Sequence, residues 1–263
     1  SLAFYAGLTG YLMSKVDIKG AFVQTPMTGP PIFLRLNKKI ACHVTGLYPE
    51  YKPLLQPDGS LLTQMLKAMY GFVQASSLWF ALLTKLLLTK GYVASETDRC
   101  VLRRESGGLI FCILVYADDL LIFASQSETE RIRFFLTEVF TTITMSVSHS
   151  ISYLGMQFLW KNRMFTVDMD FYVRQTLKDW MHLPIRNNPG NRDLFKINNT
   201  SPLLLETARQ VFHSTIARIL YLAKRVRGDI ITVVSFLCTR VTKATEEDQV
   251  KLEQLLGFLK RTM

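Results

Sequence analysis

Two adjacent acids, Asp118 and Asp119, interrupt an otherwise apolar stretch, I-L-V-Y-A-D-D-L-L-I-F (residues 113–123). Ionised carboxylates beside a core are costly unless a cation compensates them. No Lys or Arg lies within the run, so a metal ion is the expected partner. Mg²⁺ takes oxygen ligands, commonly one or two carboxylates completed by substrate phosphates. An ordinary turn with both acids in solvent, where Asp is common, explains the hairpin equally well. A third acid shifts that balance. Asp17 lies in V-D-I-K-G-A-F (residues 16–22), again at the end of an apolar run. Two-metal phosphoryl transfer needs carboxylates from separate strands converging on ions about 3.5–4 Å apart. Asp17 with Asp118 and Asp119 makes such a constellation.

The elements around these acids follow from periodicity. Residues 11–23 read as a strand running into a turn or helix start. Leu109 to Ala124 reads as two short buried strands joined by a tight turn that carries Asp118 and Asp119. Between them, residues 24–66 hold six of the nine prolines and predict an irregular lobe with short strands such as Ile32 to Leu36. Trp79, Leu82, Leu83, Leu86 and Leu87 fall on one face of a helix over 77–90, which Gly91 can end. Ser127 to Glu130 spells a capping box for a helix carrying Ile132, Phe135, Leu136, Val139 and Phe140 on one side. A strand pair is expected at 151–159 and 164–168, turning at Lys161-Asn162. The middle of the chain thus predicts an α+β fold with helices on an antiparallel sheet. From about Asp170 the pattern is mostly helical. A loop over 187–202 is followed by helices at about 205–222, 229–241 and 246–261, the last capped by Thr245 and Asp248.

Charge and composition narrow the class. The 263 residues carry 31 Lys and Arg against 21 Asp and Glu, a formal +10. Residues from 161 onward hold 17 of those basic residues and 10 of the acids. A polyanionic partner fits this, nucleic acid being the commonest, although a merely basic protein has the same charge. Cys42, Cys100, Cys112 and Cys238 form no C-x-x-C pair, which argues against a zinc site or a disulfide framework. Asp118 and Asp119 sit near the centre of the longest apolar region, and each would cost roughly 2.5–3.5 kcal/mol in a membrane span, so no membrane association is expected. The chain starts at Ser1 and reads as an internal slice of a longer protein.

Six segments in order carry a family resemblance. V-D-I-K-G-A-F (16–22) and Y-A-D-D (116–119) resemble the first and third palm motifs of copia-type long-terminal-repeat retrotransposon reverse transcriptases. L-K-A-M-Y-G-F-V-Q-A-S-S-L-W-F (66–80) resembles the motif between them, and Y-L-G-M-Q-F (153–158) the strand turn after the palm. I-L-Y-L-A-K-R-V-R-G-D-I (219–230) and L-L-G-F-L-K-R-T (255–262) resemble the segments that precede ribonuclease H in that family. The chain departs from the pattern after Gln74, where Ala75-Ser76-Ser77 replaces a small residue, Pro and Arg, and at Gly228, where Pro is usual.

The resemblance implies a right-hand polymerase with a ferredoxin-like antiparallel palm sheet. Residues 1–168 would form partial fingers and the palm, and 169–263 a mostly helical thumb or connection region, with no ribonuclease H or integrase domain in this chain. It implies an RNA-directed DNA polymerase acting by two-metal phosphoryl transfer. Two Mg²⁺ ions, replaceable by Mn²⁺, would sit on Asp17 and Asp118 with Asp119 assisting. Phe22 would be the steric gate that excludes a 2′ hydroxyl, with Ala21 beside it and Gln74 against the incoming nucleotide. Without the resemblance, Phe22 reads as a core residue. Tyr116 would lie under the primer end, and Gly155 would belong to a hairpin steadying the primer, whereas Trp79 reads as core. The implied partners are an RNA or DNA template with primer, deoxynucleoside triphosphates, and the remaining Pol polyprotein with its ribonuclease H and integrase. The implied setting is a cytoplasmic particle, with the nucleus as a second location. The alternative is a decayed or domesticated element copy that binds nucleic acid without polymerising.

Overall fold

The computed structural model describes residues 11–161 and 164–263. These fall into two compact units, the first ending at His149 and the second beginning at Ser150. The boundary falls earlier than the one after residue 168 set by the sequence reading, because the strands after Ser150 group with the helices that follow.

In the first unit, β1 (Leu12–Ile18) leads into a one-turn helix α1 (Ala21–Gln24). A small lobe follows, with β2 (Phe33–Leu36), α2 (Lys38–Leu47), a 3-10 segment (Pro49–Leu54) and β3 (Leu61–Gln64). The ten-residue α2 stands where the prolines predicted irregular chain. Its prolines flank it, and Asn37 caps it by accepting the amide of Ile40. Next come α3 (Ala75–Leu88), β4 (Val93–Ala94), β5 (Val101–Ser106), β6 (Leu109–Tyr116), β7 (Asp119–Ala124), α4 (Gln126–Val139) and β8 (Ile143–Ser148).

Six strands pair in the order β4-β5-β6-β7-β1-β8 among the described residues, and every pairing is antiparallel. The order β6-β7-β1-β8, with α3 between β1 and β6 and α4 between β7 and β8, is a βαββαβ arrangement. Side chains alternate across β1: Ser14, Val16 and Ile18 are fully buried, while Lys15 and Asp17 on the other face are half-buried. Trp79, Leu83 and Leu87 bury one stripe of α3, and Ile132, Phe135 and Leu136 one stripe of α4. Phe140 is buried with them, whereas Val139 is exposed.

The cap of α4 lies two residues before the expected one. Ser125, not Ser127, accepts the Glu128 amide. Glu128 is buried and does not complete the box. It accepts hydrogen bonds from Tyr92, Arg104 and Arg131 at 2.7 Å each, which ties α4 to the segment after α3 and to β5. A buried carboxylate with two guanidinium partners is the form in which such a charge is tolerated.

The second unit opens with β9 (Ser150–Tyr153), β10 (Met156–Lys161) and β11 (Met164–Asp168), a three-stranded antiparallel meander. The expected single strand over 151–159 is broken at Leu154-Gly155, where both residues have positive φ (50° and 72°), forming a tight hairpin turn. The other expected turn, at Lys161-Asn162, falls partly outside the described residues. Helices α5 (Asp170–Leu177), α6 (Glu206–Ala223), α7 (Ile231–Cys238) and α8 (Glu246–Arg261) follow. The helix expected over 229–241 is the shorter α7, entered through a 3-10 turn at Gly228–Ile230. Thr245 and Asp248 cap α8 reciprocally, as the sequence predicted. Phe212, Ile216, Ile219, Leu237, Leu252, Leu255 and Leu259 form the core of this unit. Among the described residues, no helix is long and apolar enough to cross a membrane.

Candidate active site

The antiparallel register of β1 and β7 sets Asp17 directly opposite Asp119. Asp118 occupies the two-residue loop between Tyr116 and Asp119, which are themselves register partners of β6 and β7. Its carbonyl accepts the Ile18 amide at 3.4 Å, so the loop is stitched to the end of β1. The first loop residue, Ala117, has φ 50°, the left-handed region that favours glycine. The indole of Trp79, fully buried in α3, donates a hydrogen bond of 2.6 Å to the Ala117 carbonyl. Trp79 is therefore core, as expected, and it also fixes the loop that carries Asp118.

Asp17, Asp118 and Asp119 are all half-buried. Partial desolvation raises the Tyr70 phenol above its ordinary value, and the charges of Asp118 and Asp17 raise it further. Asp119 behaves differently. Cross-strand partners share a face of the sheet, and two like charges directly opposite destabilise it. Lys15, two residues before Asp17 on that same face, reaches diagonally to Asp119, with Nζ 3.2 Å from Oδ1. No Lys or Arg lies within the acidic run itself, from which a metal ion was the expected partner; for Asp119 the fold supplies a protein cation. The cation comes from the neighbouring strand.

The donor set at Asp17 and Asp118 is all oxygen, which suits Mg²⁺. Among the described residues, no group of three His, Cys, Asp or Glu side chains is set to hold a metal. Asp17, Asp118 and Asp119 therefore do not by themselves form a preformed three-carboxylate metal group.

Gly20 turns the chain out of β1. It has φ 64°, and a Cβ there would meet Val23 Cγ2 at 3.0 Å. The turn delivers Ala21, fully buried, and Phe22, half-buried, onto α1. The Phe22 ring packs on Tyr70, with centroids 4.8 Å apart. Gln24 clamps the turn. Its amide donates to the Lys19 carbonyl at 2.7 Å, and its oxygen accepts the Thr141 amide at 3.0 Å. Gln74 is exposed just before α3, and its carbonyl accepts the Ser77 hydroxyl at 2.8 Å. That bond lies in the first turn of α3, where Ser76-Ser77 stands in place of the Pro and Arg of the resembled pattern.

Tyr116 stands 59% exposed beside the acidic loop. Gly155 lies in the second unit, at the hairpin turn between β9 and β10. The first unit thus gathers Asp17, Ala21, Phe22, Tyr116, Asp118 and Asp119 around the ends of β1, β6 and β7. Sequence reasoning missed Lys15, Tyr70 and Gln24. The period of two along β1 already puts Lys15 on the face of Asp17, but the partner of each appears only with the strand register. A cleft of about 690 Å³ elsewhere in this unit, lined by Phe80, Thr84, Lys85, Glu96 and Arg99, does not include the acids.

The family model described as "Reverse transcriptase (RNA-dependent DNA polymerase)" matches residues 54–187, just over half of the chain. That span includes Tyr70, Gln74, Asp118 and Asp119 and begins after Asp17. Two curated relatives, the "Retrovirus-related Pol polyprotein" from transposon RE2 and that from transposon RE1 of Arabidopsis thaliana, are each 30% identical over 114 residues. The aligned stretch is 41% of this chain and 6% of each relative, so the chain corresponds to a small part of either polyprotein. Among solved structures, a foamy viral protease-reverse transcriptase in complex with dsDNA aligns over 95% of this chain and 42% of its own, at 14% identity and a TM-score of 0.45. Telomerase from Candida albicans, in complex with a fragment of telomeric RNA, aligns over 97% of this chain and 46% of its own, at 11% identity and a TM-score of 0.35. By the family match and these relatives, the chain belongs to the reverse transcriptase (RNA-dependent DNA polymerase) family, among those of copia-type retrotransposons.

Proposed function

We propose that this chain carries the polymerising centre of an RNA-directed DNA polymerase, which extends a primer with deoxynucleotides on an RNA or DNA template. The observation that carries the reading is the junction of β1 and β7. There Asp17 and the Asp118-Asp119 loop meet beside Tyr70 in a chain of the reverse transcriptase family. On this reading the βαββαβ sheet is a ferredoxin-like palm, the β2–β3 lobe is part of the fingers, and the helices from α5 onward are thumb or connection.

Two bound divalent cations, Mg²⁺ or its substitute Mn²⁺, would supply the charge that acidifies a primer 3′ hydroxyl and steadies the leaving pyrophosphate. Asp17 and Asp118 would hold them, from two elements whose relative position is fixed by strand register and by the Trp79 bond to Ala117. Most of the catalysis would be positioning and charge stabilisation, because phosphoryl transfer asks for little covalent chemistry from the protein. Phe22, backed by Tyr70, would press on the sugar where a ribonucleotide carries its 2′ hydroxyl, and buried Ala21 would seat the turn that holds it. Gln74, exposed at the start of α3, would lie against the incoming nucleotide, and exposed Tyr116 under the primer terminus. The Gly155 hairpin would steady the primer strand.

In the element, the chain would work beside ribonuclease H and integrase within a cytoplasmic particle, before the DNA passes to the nucleus. The direct test is primer extension on an RNA template with Mg²⁺ and deoxynucleotides. Template-directed incorporation is expected. Tight, salt-sensitive duplex binding with no incorporation would instead favour a domesticated binding fragment.

A further inference from the structure

We infer that Lys15 is a built-in counter-ion that draws Asp119 away from the divalent-cation site, leaving Asp17 and Asp118 as its ligands and making Lys15 a determinant of its affinity. The inference rests on the proposed polymerase reading and assigns a role to a residue outside the motif acids. Asp17 and Asp119 are direct register partners, so their carboxylates project from the same face of the sheet, with Cβ atoms about 4.5–5.5 Å apart. Two anions so close need a cation, and β1 carries one on that face. Lys15 is opposite Leu121 in register, yet its side chain crosses to Asp119, with Nζ 3.2 Å from Oδ1.

The two side chains are 33% and 29% exposed. The pair is wet enough to exchange and sheltered enough to matter. A lysine ammonium is a compact point charge on a flexible stem, so it can leave without moving the strand. A divalent cation drawing on Asp119 has to displace it. Asp118 stands apart from this competition, in the loop whose charge, with that of Asp17, reaches Tyr70. The arrangement therefore sets Asp119, paired with a cation of the protein, apart from Asp17 and Asp118.

The test is Mn²⁺ binding to the whole chain, followed by titration calorimetry at fixed pH, with thermal unfolding of each variant as a control. Lys15→Met should tighten Mn²⁺ binding by about 2–5-fold, the fold-change that corresponds to releasing a partly exposed ion pair. In an Asp119→Asn background the same substitution should change affinity little, because the group it releases is gone. Lys15→Arg should stay close to the parent. Unchanged or weaker binding by Lys15→Met overturns the inference, as does an equal gain with and without Asp119, which would mark a general charge effect. Asp118→Asn separates the two claims. If it binds Mn²⁺ as tightly as the parent, the metal-site reading fails. If it loses the ion while Lys15→Met leaves affinity unchanged, only the counter-ion role fails.

Discussion

Phe22 is held by a glycine turn behind it and an aromatic ring beside it, so its side chain has a defined place next to the acids. The left-handed Gly20 brings the chain round, and the Tyr70 ring packs at a tilt against that of Phe22, with centroids 4.8 Å apart. If that ring meets the sugar, Phe22→Ala should raise ribonucleotide relative to deoxyribonucleotide incorporation by about 10-fold or more, the scale at which steric exclusion discriminates small groups. An unchanged ratio in competitive extension assays would return Phe22 to a packing role. Asp17, Asp118 and Asp119 were legible in the sequence because charge in the middle of apolar runs demands a reason. Lys15 and Tyr70 were not assigned, since neither has a meaning until strand register and the turn at Gly20 bring distant segments together. Even the choice between Ser125 and Ser127 as the cap of α4 is settled by the local hydrogen bond, which the S-x-x-E spacing alone places two residues too late.

At the scale of elements, α4 and α8 each depend on one residue that composition would not single out. Burial alone would push Glu128 up, but hydrogen bonds from Arg131 and Tyr92 and the charges of Arg131 and Arg104 outweigh it and hold the carboxyl below its usual value of 4.5. A carboxyl depressed in the folded state stabilises fully above its unfolded-state pKa, and that contribution is lost as pH falls through the folded value. Glu128→Gln should therefore cost about 2–3 kcal/mol at neutral pH, reduced from the fully buried case because both arginines are partly in water. In urea unfolding, the gap between parent and variant should shrink on acidification below the ordinary carboxylate range. A gap independent of pH would contradict the ion-pair account. Gly257 sits inside α8, where helix propensity alone says that alanine would stabilise by about 1 kcal/mol. Packing says the opposite. A Cβ at Gly257 would run into the Pro184 carbonyl and come within 2.7 Å of Arg186 Cγ, and backbone does not yield cheaply. Gly257→Ala should lower stability by about 1–3 kcal/mol, and a higher melting temperature would show that the Pro184 segment gives way. The strongly periodic helices α3, α4, α6 and α8 could be read in advance. The ten-residue α2 could not, because the prolines around it mask a short helix that starts at the Asn37 cap and ends just before Pro49.

On the scale of the whole molecule, two units share an excess of positive charge that suits a polyanion. The formal charge is +10 over 263 residues. If that charge meets phosphates, the logarithm of affinity for an RNA–DNA duplex should fall linearly with the logarithm of salt, by roughly 10³ between 50 and 200 mM for about six phosphate contacts. A salt-independent affinity, measured by fluorescence anisotropy, would point to a partner other than nucleic acid. The α+β class and the helices around the acidic hairpin were readable from pattern, whereas the strands β4, β5 and β8 were not. The division after His149 was not readable either, because which unit the strands β9–β11 join is decided by tertiary contacts and not by local pattern. The central claim, that the acids at the β1–β7 junction make this chain a polymerase, is tested most directly by primer extension on an RNA template with Mg²⁺, comparing the parent chain with Asp118→Asn. The substitution is nearly isosteric and removes one charge, so circular dichroism should show both folded. The account predicts incorporation by the parent and a loss of at least about 10²-fold in the variant. Equal incorporation by the two would contradict it.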